Sequence, residues 1–121
     1  MGASSAAVGA EGRDKAARSR ALVPPGAVIL VKSGFYEGLE VSVDREWLVI
    51  GRGRSADLVI AEPTISRSHA AVGWDAEGFF VQDLGSTNGT MVNGAKAQRT
   101  VLKDQDVIQM GKLTLGISLP G

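Results

Sequence analysis

From residue 27 onward, apolar side chains recur at every second position. Leu39, Val41 and Val43 alternate with Glu40, Ser42 and Asp44, and Leu113, Leu115, Ile117 and Leu119 alternate with Thr114, Gly116 and Ser118. A period of two puts the apolar residues on one face of an extended strand and the polar ones on the other. Shorter runs rich in β-branched or aromatic residues predict further strands at 27–32, 47–50, 57–60, 69–74, 79–83, 91–92 and 107–110, separated by Gly-rich or Asx-rich turns. No stretch between 27 and 121 carries the stripe of an amphipathic helix. Many short, closely spaced strands, with Asn93-Gly94 as a hairpin turn, predict an all-β fold: a β-sandwich of two mainly antiparallel sheets.

The first 21 residues read differently. They are Ala, Ser, Gly and charge, with almost nothing large to bury, so burial cannot offset the conformational entropy of ordering them. We expect a flexible tail over 1–26, closed by Pro24-Pro25-Gly26, and a single domain over 27–121. The chain as a whole balances 13 Lys and Arg against 13 Asp and Glu. The tail holds four of the basic residues and two of the acidic ones, a net +2, which leaves the domain at −2. Four interrupted positive charges without an aromatic make a weak nucleic-acid arm, and no nucleic-acid partner is expected.

Composition removes whole classes of chemistry. Among 121 residues there is no cysteine and one histidine, so a disulfide scaffold, a thiol nucleophile and a conventional zinc site are all excluded. Asp104-Gln105-Asp106 lacks the Gly and distal Glu of a calcium loop. Neither a metal nor another cofactor is expected. No apolar run approaches the roughly 20 residues that cross a bilayer, and Ala6-Ala7-Val8 falls short of a signal-peptide core. Met1-Gly2 begins like a myristoylation signal, but Ala6 stands where that signal wants Ser or Thr. The expectation is a cytoplasmic protein without a membrane partner.

Three motifs imitate other functions. Gly51-Arg52-Gly53-Arg54-Ser55-Ala56 matches a dinucleotide fingerprint, yet Leu58, β-branched Val59-Ile60 and Pro63 follow where that fingerprint needs a helix. Asn88-Gly89-Thr90 is a glycosylation sequon without an expected secretory signal. Ser66 or Ser68 with His69 and Asp83 can be written as a hydrolytic triad, but the serine lies too close along the chain to its base and no oxyanion hole is evident. We expect no enzyme.

A more specific constellation remains: Gly51-Arg52, then Ser66-Arg67-Ser68-His69, then Asp83-Leu84-Gly85-Ser86-Thr87-Asn88-Gly89-Thr90, then Asn93-Gly94. All fall on or beside strand ends, where loops of a sandwich converge. Arginine offers a planar fork of donors suited to a phosphate, and serine hydroxyl and loop amides supply neutral donors around the same oxygens. The amide of Asn88 suits a peptide backbone, and the methyl of Thr87 offers a small apolar surface.

In order and spacing these pieces resemble the forkhead-associated domain, a phosphothreonine-peptide-binding β-sandwich, over about Val28 to Leu119. The resemblance implies that Arg52 and Ser66 bind the phosphate, that Arg67 adds a second charge, and that Asn88 holds the peptide backbone. It also implies that Thr87 helps form the methyl pocket and that Gly51, His69 and Gly89 are architectural. The implied partner is a phosphothreonine-containing protein, with a functionally linked Ser/Thr kinase. Simpler roles exist for each residue alone: Arg52 as an ion-pair partner of Asp57, Ser66 as a turn cap, Asn88-Gly89 as a hairpin turn. The functional alternative is a phospho-independent scaffolding or dimerisation domain of the same fold, using the other sheet face.

Overall fold

Alternation along the chain becomes two stacked sheets. The structure, a computed structural model, describes residues 23–120, and no helix occurs among them. Residues 1–22 lie outside the described residues, and with them most of the expected tail and its basic charges. The strands are β1 (Val28–Val31), β2 (Glu40–Ser42), β3 (Trp47–Gly51), β4 (Leu58–Val59), β5 (Ala70–Asp75) and β6 (Gly78–Asp83). They continue with β7 (Thr90–Val92), β8 (Ala95–Lys96), β9 (Arg99–Val101), β10 (Val107–Met110) and β11 (Leu113–Ser118). One sheet has six strands in the order β2-β1-β11-β10-β7-β8, and the other has five in the order β4-β3-β5-β6-β9. Among these pairings β3 with β4 is parallel, and the rest for which register is resolved are antiparallel. The expected sandwich of two mainly antiparallel sheets is therefore the observed fold.

The core lies between the sheets. Leu48, Ile50, Val72 and Val81 from one side join Ile29, Val31, Ile108, Met110, Leu115 and Ile117 from the other, none more than 3% exposed. The outer face of the five-stranded sheet carries a row set by register: Trp47 opposite Gly73, Gly73 opposite Phe80, Phe80 opposite Val101. Trp47 and Phe80 lie with ring centroids 6.0 Å apart, and Arg99 stacks 3.8 Å above Phe80. Asp75 and Gln82 hold that guanidinium in place.

Asn93-Gly94 is the expected hairpin turn, with φ of 52° and 84°, closing β7 onto β8 through the pair Val92 and Ala95. The patterning did not predict β8 or β9. Each is two or three residues of mainly exposed side chain, and neither contains a run of alternating apolar positions. Ahead of β1, Val23 is buried in the core and Gly26 packs against Pro120. β1 leaves this pole and β11 returns to it, so the two ends of the described chain meet there.

Candidate functional site

At the opposite pole, the residue following β3 runs beside the segment that precedes β5. The N–H of Arg52 donates to the Ser66 carbonyl at 3.1 Å, and that of Gly53 to the Arg67 carbonyl at 3.1 Å. His69 N–H closes the same ladder on the Ile50 carbonyl at 2.9 Å. The approach is so close that a Cβ on Gly51 would lie 1.9 Å from the Arg67 carbonyl oxygen, which only glycine avoids. Two residues 14 apart in sequence, Arg52 and Ser66, thus stand side by side. Arg52 also donates from Nε to the Ile65 carbonyl at 2.8 Å, which orients its fork while the terminal nitrogens hold no hydrogen bond among the described residues. Asp57, the ion-pair partner considered for it, bonds instead to Arg45 and to the N–H of Val49.

The third segment is the loop between β6 and β7. Ser66 Oγ accepts the Thr87 N–H at 3.1 Å, so the hydroxyl is aimed and its own proton is left to donate elsewhere. His69 is fully buried and ties the pieces together. Its Nδ1 accepts the Ser66 N–H at 3.0 Å, so the ring proton belongs on Nε2, 2.8 Å from the Gly89 carbonyl. Both ring nitrogens are occupied by backbone groups, and the Asp83 carboxylate is bonded to other residues, so the hydrolytic triad does not form. Gly89 adopts φ of 81°, the left-handed conformation that a turn after Asn88 requires.

Asp83 organises this loop. Its carboxylate accepts from the N–H groups of Gly85 and Ser86 at 3.0 Å each, from Thr90 Oγ1 at 2.7 Å, and from the Ser86 hydroxyl. Ser86 Oγ in turn accepts the Gly89 N–H at 2.9 Å. Burial pushes the Asp83 carboxyl up, but the hydrogen bonds from Ser86, Thr90 and Gly85 outweigh it and hold the group below its ordinary value. The unfolded chain therefore binds the proton more readily than the folded one. Stability from this carboxylate is complete above the ordinary carboxylate range and is lost as pH falls through the lower folded value. Asp83→Asn is expected to lower the melting temperature at neutral pH by about 5 °C or more. The difference from the unsubstituted protein should shrink below pH of about 4. A gap that stays constant with pH in calorimetric melts would show that the charge is not what holds the loop.

Sequence reasoning missed Thr64. Its carbonyl accepts Asn88 Nδ2 at 2.7 Å, and its hydroxyl accepts the Lys112 N–H at 2.7 Å while donating to Glu62 at 2.7 Å. Asn88 thereby spends one amide proton on bracing its own loop and keeps its carbonyl oxygen and second proton exposed. Arg52, Arg67, Thr87 and Asn88 are all exposed, with Ser66 half-buried beside them. On the far side of the loop, Lys96 and Gln98 face Thr87 and Asn88 across a cleft of about 340 Å³. Among the described residues, no group of three or more His, Asp or Glu is placed to hold a metal ion, and no helix is long and apolar enough to cross a membrane.

An oriented arginine fork, a hydroxyl with a free proton and an exposed amide, all on loops at one pole of a β-sandwich, define a class of protein. A family model for the FHA domain, the forkhead-associated domain, matches residues 48–111, and the chain belongs to this family. It is similar to the oxoglutarate dehydrogenase inhibitor of Corynebacterium jeikeium, with 36% identity over 94 residues that cover 77% of this chain and 65% of the relative. It is equally similar to the glycogen accumulation regulator GarA of Mycobacterium tuberculosis, 36% identical over 94 residues covering 77% of this chain and 58% of GarA. The chain thus spans about three fifths of the length of these relatives. A solved structure concerned with phosphothreonine-dependent FHA domain interactions superposes with a TM-score of 0.73 at 30% identity, covering 81% of this chain and 99% of that one.

Proposed function

We propose that residues 27–121 form a module that binds phosphothreonine in partner proteins and performs no catalysis itself. The observation that carries this reading is the pairing of Arg52 with Ser66. Each has one polar atom fixed by the fold, and each keeps donors free at the exposed rim. A phosphothreonine brings about −1.5 to −2 charges and three acceptor oxygens, so these donors would form charge-assisted bonds that an unmodified threonine cannot accept. Arg67, exposed on the neighbouring position, adds a second cation, and the free amide edge of Asn88 holds the peptide backbone. Thr87 contributes its methyl to the pocket for the threonine methyl.

The relatives named as an inhibitor and a regulator support a binding role, and the structure described for phosphothreonine-dependent interactions supports the ligand. Such a module acts downstream of a Ser/Thr kinase, in the cytoplasm, where that kinase and its substrates meet. Calorimetry with one peptide in three forms tests the reading. The phosphothreonine form should bind, the unphosphorylated form should not, and the phosphoserine form should bind several-fold more weakly, since one buried methyl is worth ~0.8 kcal/mol or more. Equal binding of the phosphorylated and unphosphorylated forms would replace this reading with phospho-independent scaffolding.

A further inference from the structure

β9 is the last strand of the five-stranded sheet, so one of its edges has no neighbouring strand. The phase of its ladder with β6 decides which backbone groups that edge presents. At one end the Asp83 N–H donates to the Gln98 carbonyl at 2.8 Å, and at the other the Leu102 N–H donates to the Phe79 carbonyl at 2.7 Å. Bonded and unbonded positions alternate along an antiparallel pair, so Thr100 bonds to Val81 between these two. Arg99 and Val101, opposite Gln82 and Phe80, therefore turn their N–H and C=O groups away from the sheet. These groups have no hydrogen-bond partner among the described residues. The side chain of Val101 is no shield, since it is itself 46% exposed.

Beside this edge a cleft of about 240 Å³ opens between β8 and β9, lined by buried Val92, by Thr100 and Val101, and by exposed Lys96 and Lys103. Neither lysine forms an ion pair among the described residues. Asp106 lines the cleft as well, but it is buried, and its carboxylate is occupied by Asn93 Nδ2 at 2.9 Å and the Lys103 N–H at 2.8 Å. The exposed charge of the cleft is positive in a domain whose residues sum to −2.

We infer that the β9 edge takes an extended, unphosphorylated segment of a partner protein in which aliphatic and acidic side chains alternate, added to the sheet as a further strand. Main-chain bonds to Arg99 and Val101 supply the attachment. Side chains of the added strand point alternately to its two faces. Those beside Val101 extend the outer row of Trp47, Phe80 and Val101, where an aliphatic side chain is covered. Those beside Thr100 enter the cleft, where Lys96 and Lys103 suit a carboxylate. A second copy of the chain is a poorer occupant, because β9 paired with its own counterpart would crowd the lysines of both copies together, the usual protection of an open edge against self-pairing. The inference is independent of the phosphothreonine reading, since Val101 and Lys103 lie on neither of the loops that carry Ser66 and Asn88.

The probe is a capped hexapeptide of alternating valine and glutamate. It is compared with one of alternating valine and lysine and with one holding the same valines and glutamates sorted into two blocks. In an NMR titration of the full chain the alternating glutamate peptide should shift the amide signals of Arg99 and Val101 and slow their hydrogen exchange roughly tenfold at saturation. The other two peptides should bind roughly tenfold more weakly or not at all. Val101→Pro removes the outward N–H while sparing the bonds of Thr100 and Leu102 to β6, and should weaken binding roughly tenfold. Lys103→Glu alters an exposed side chain and should weaken it roughly fivefold, more so at low salt. Undisturbed Arg99 and Val101 amides, equal binding of the glutamate and lysine peptides, or full affinity in either variant would overturn the inference. Protection of the same amides by raised protein concentration alone would also overturn it and assign the edge to a second copy.

Discussion

Arg52→Ala is expected to weaken binding of a phosphothreonine peptide by roughly 100-fold or more, equivalent to ~3 kcal/mol, the scale of a lost charge-assisted hydrogen bond in a desolvated contact. The domain should remain folded, since Arg52 is exposed and its backbone N–H bond to Ser66 survives the substitution. Ser66→Ala should cost less, roughly tenfold, because it removes one neutral donor and also frees the Thr87 N–H to seek water. Titration calorimetry on both variants, with circular dichroism to confirm the fold, separates the outcomes. Full affinity in Arg52→Ala would remove the phosphate from this rim altogether, whatever the family resemblance. The domain residues carry a net charge of −2, so a phosphate bound here would be held by local geometry and against the overall field.

The largest effect on stability is expected from Gly51→Ala. The added methyl would sit 1.9 Å from the Arg67 carbonyl oxygen and 2.6 Å from its carbonyl carbon, both backbone atoms that cannot swing aside. Relief requires β3 and the segment preceding β5 to separate, which breaks the bonds from Arg52 and Gly53 to Ser66 and Arg67. A loss of about 3 kcal/mol or more is expected, a large fraction of the stability of a domain of this size. Thermal melts measure it directly. An unchanged melting temperature would show that the two segments are not packed this tightly and that Arg52 is not held beside Ser66.

The alternating runs around Val41 and from Leu113 to Leu119 are enough to read a sandwich, because a buried face leaves its period in the residues themselves. β8 and β9 leave no such trace. Lys96 and Arg99 are extended because Met91 and Gln82 lie opposite them on strands already in place, a tertiary cause absent from their own neighbourhood in sequence. The loops divide the same way. Gly51-Arg52, Ser66, His69 and Thr87-Asn88 carry their chemistry in residue type and spacing. Thr64 does not, because what distinguishes it is contact with Asn88 and Lys112, 24 and 48 residues away. Asp83 stands between: it heads the loop motif in plain sight, but its four hydrogen bonds become visible only once the loop has curled back on it. Residue type and nearness alone also allow Arg52 to pair with Asp57, and the fold gives Asp57 to Arg45 instead.

The meeting of Val23, Gly26 and Pro120 at one pole has a practical corollary. A surface linker, fluorophore or fused domain attached through either end of the described chain would leave from the side facing away from Arg52 and Asn88. Orientation would then be uniform on a sensor chip, with those loops outward regardless of which end is tethered. By the same geometry, splicing this unit into the surface loop of a host protein would demand only a short gap between the two junctions, and the loops carrying Arg52 and Asn88 would project from the host as its outermost point.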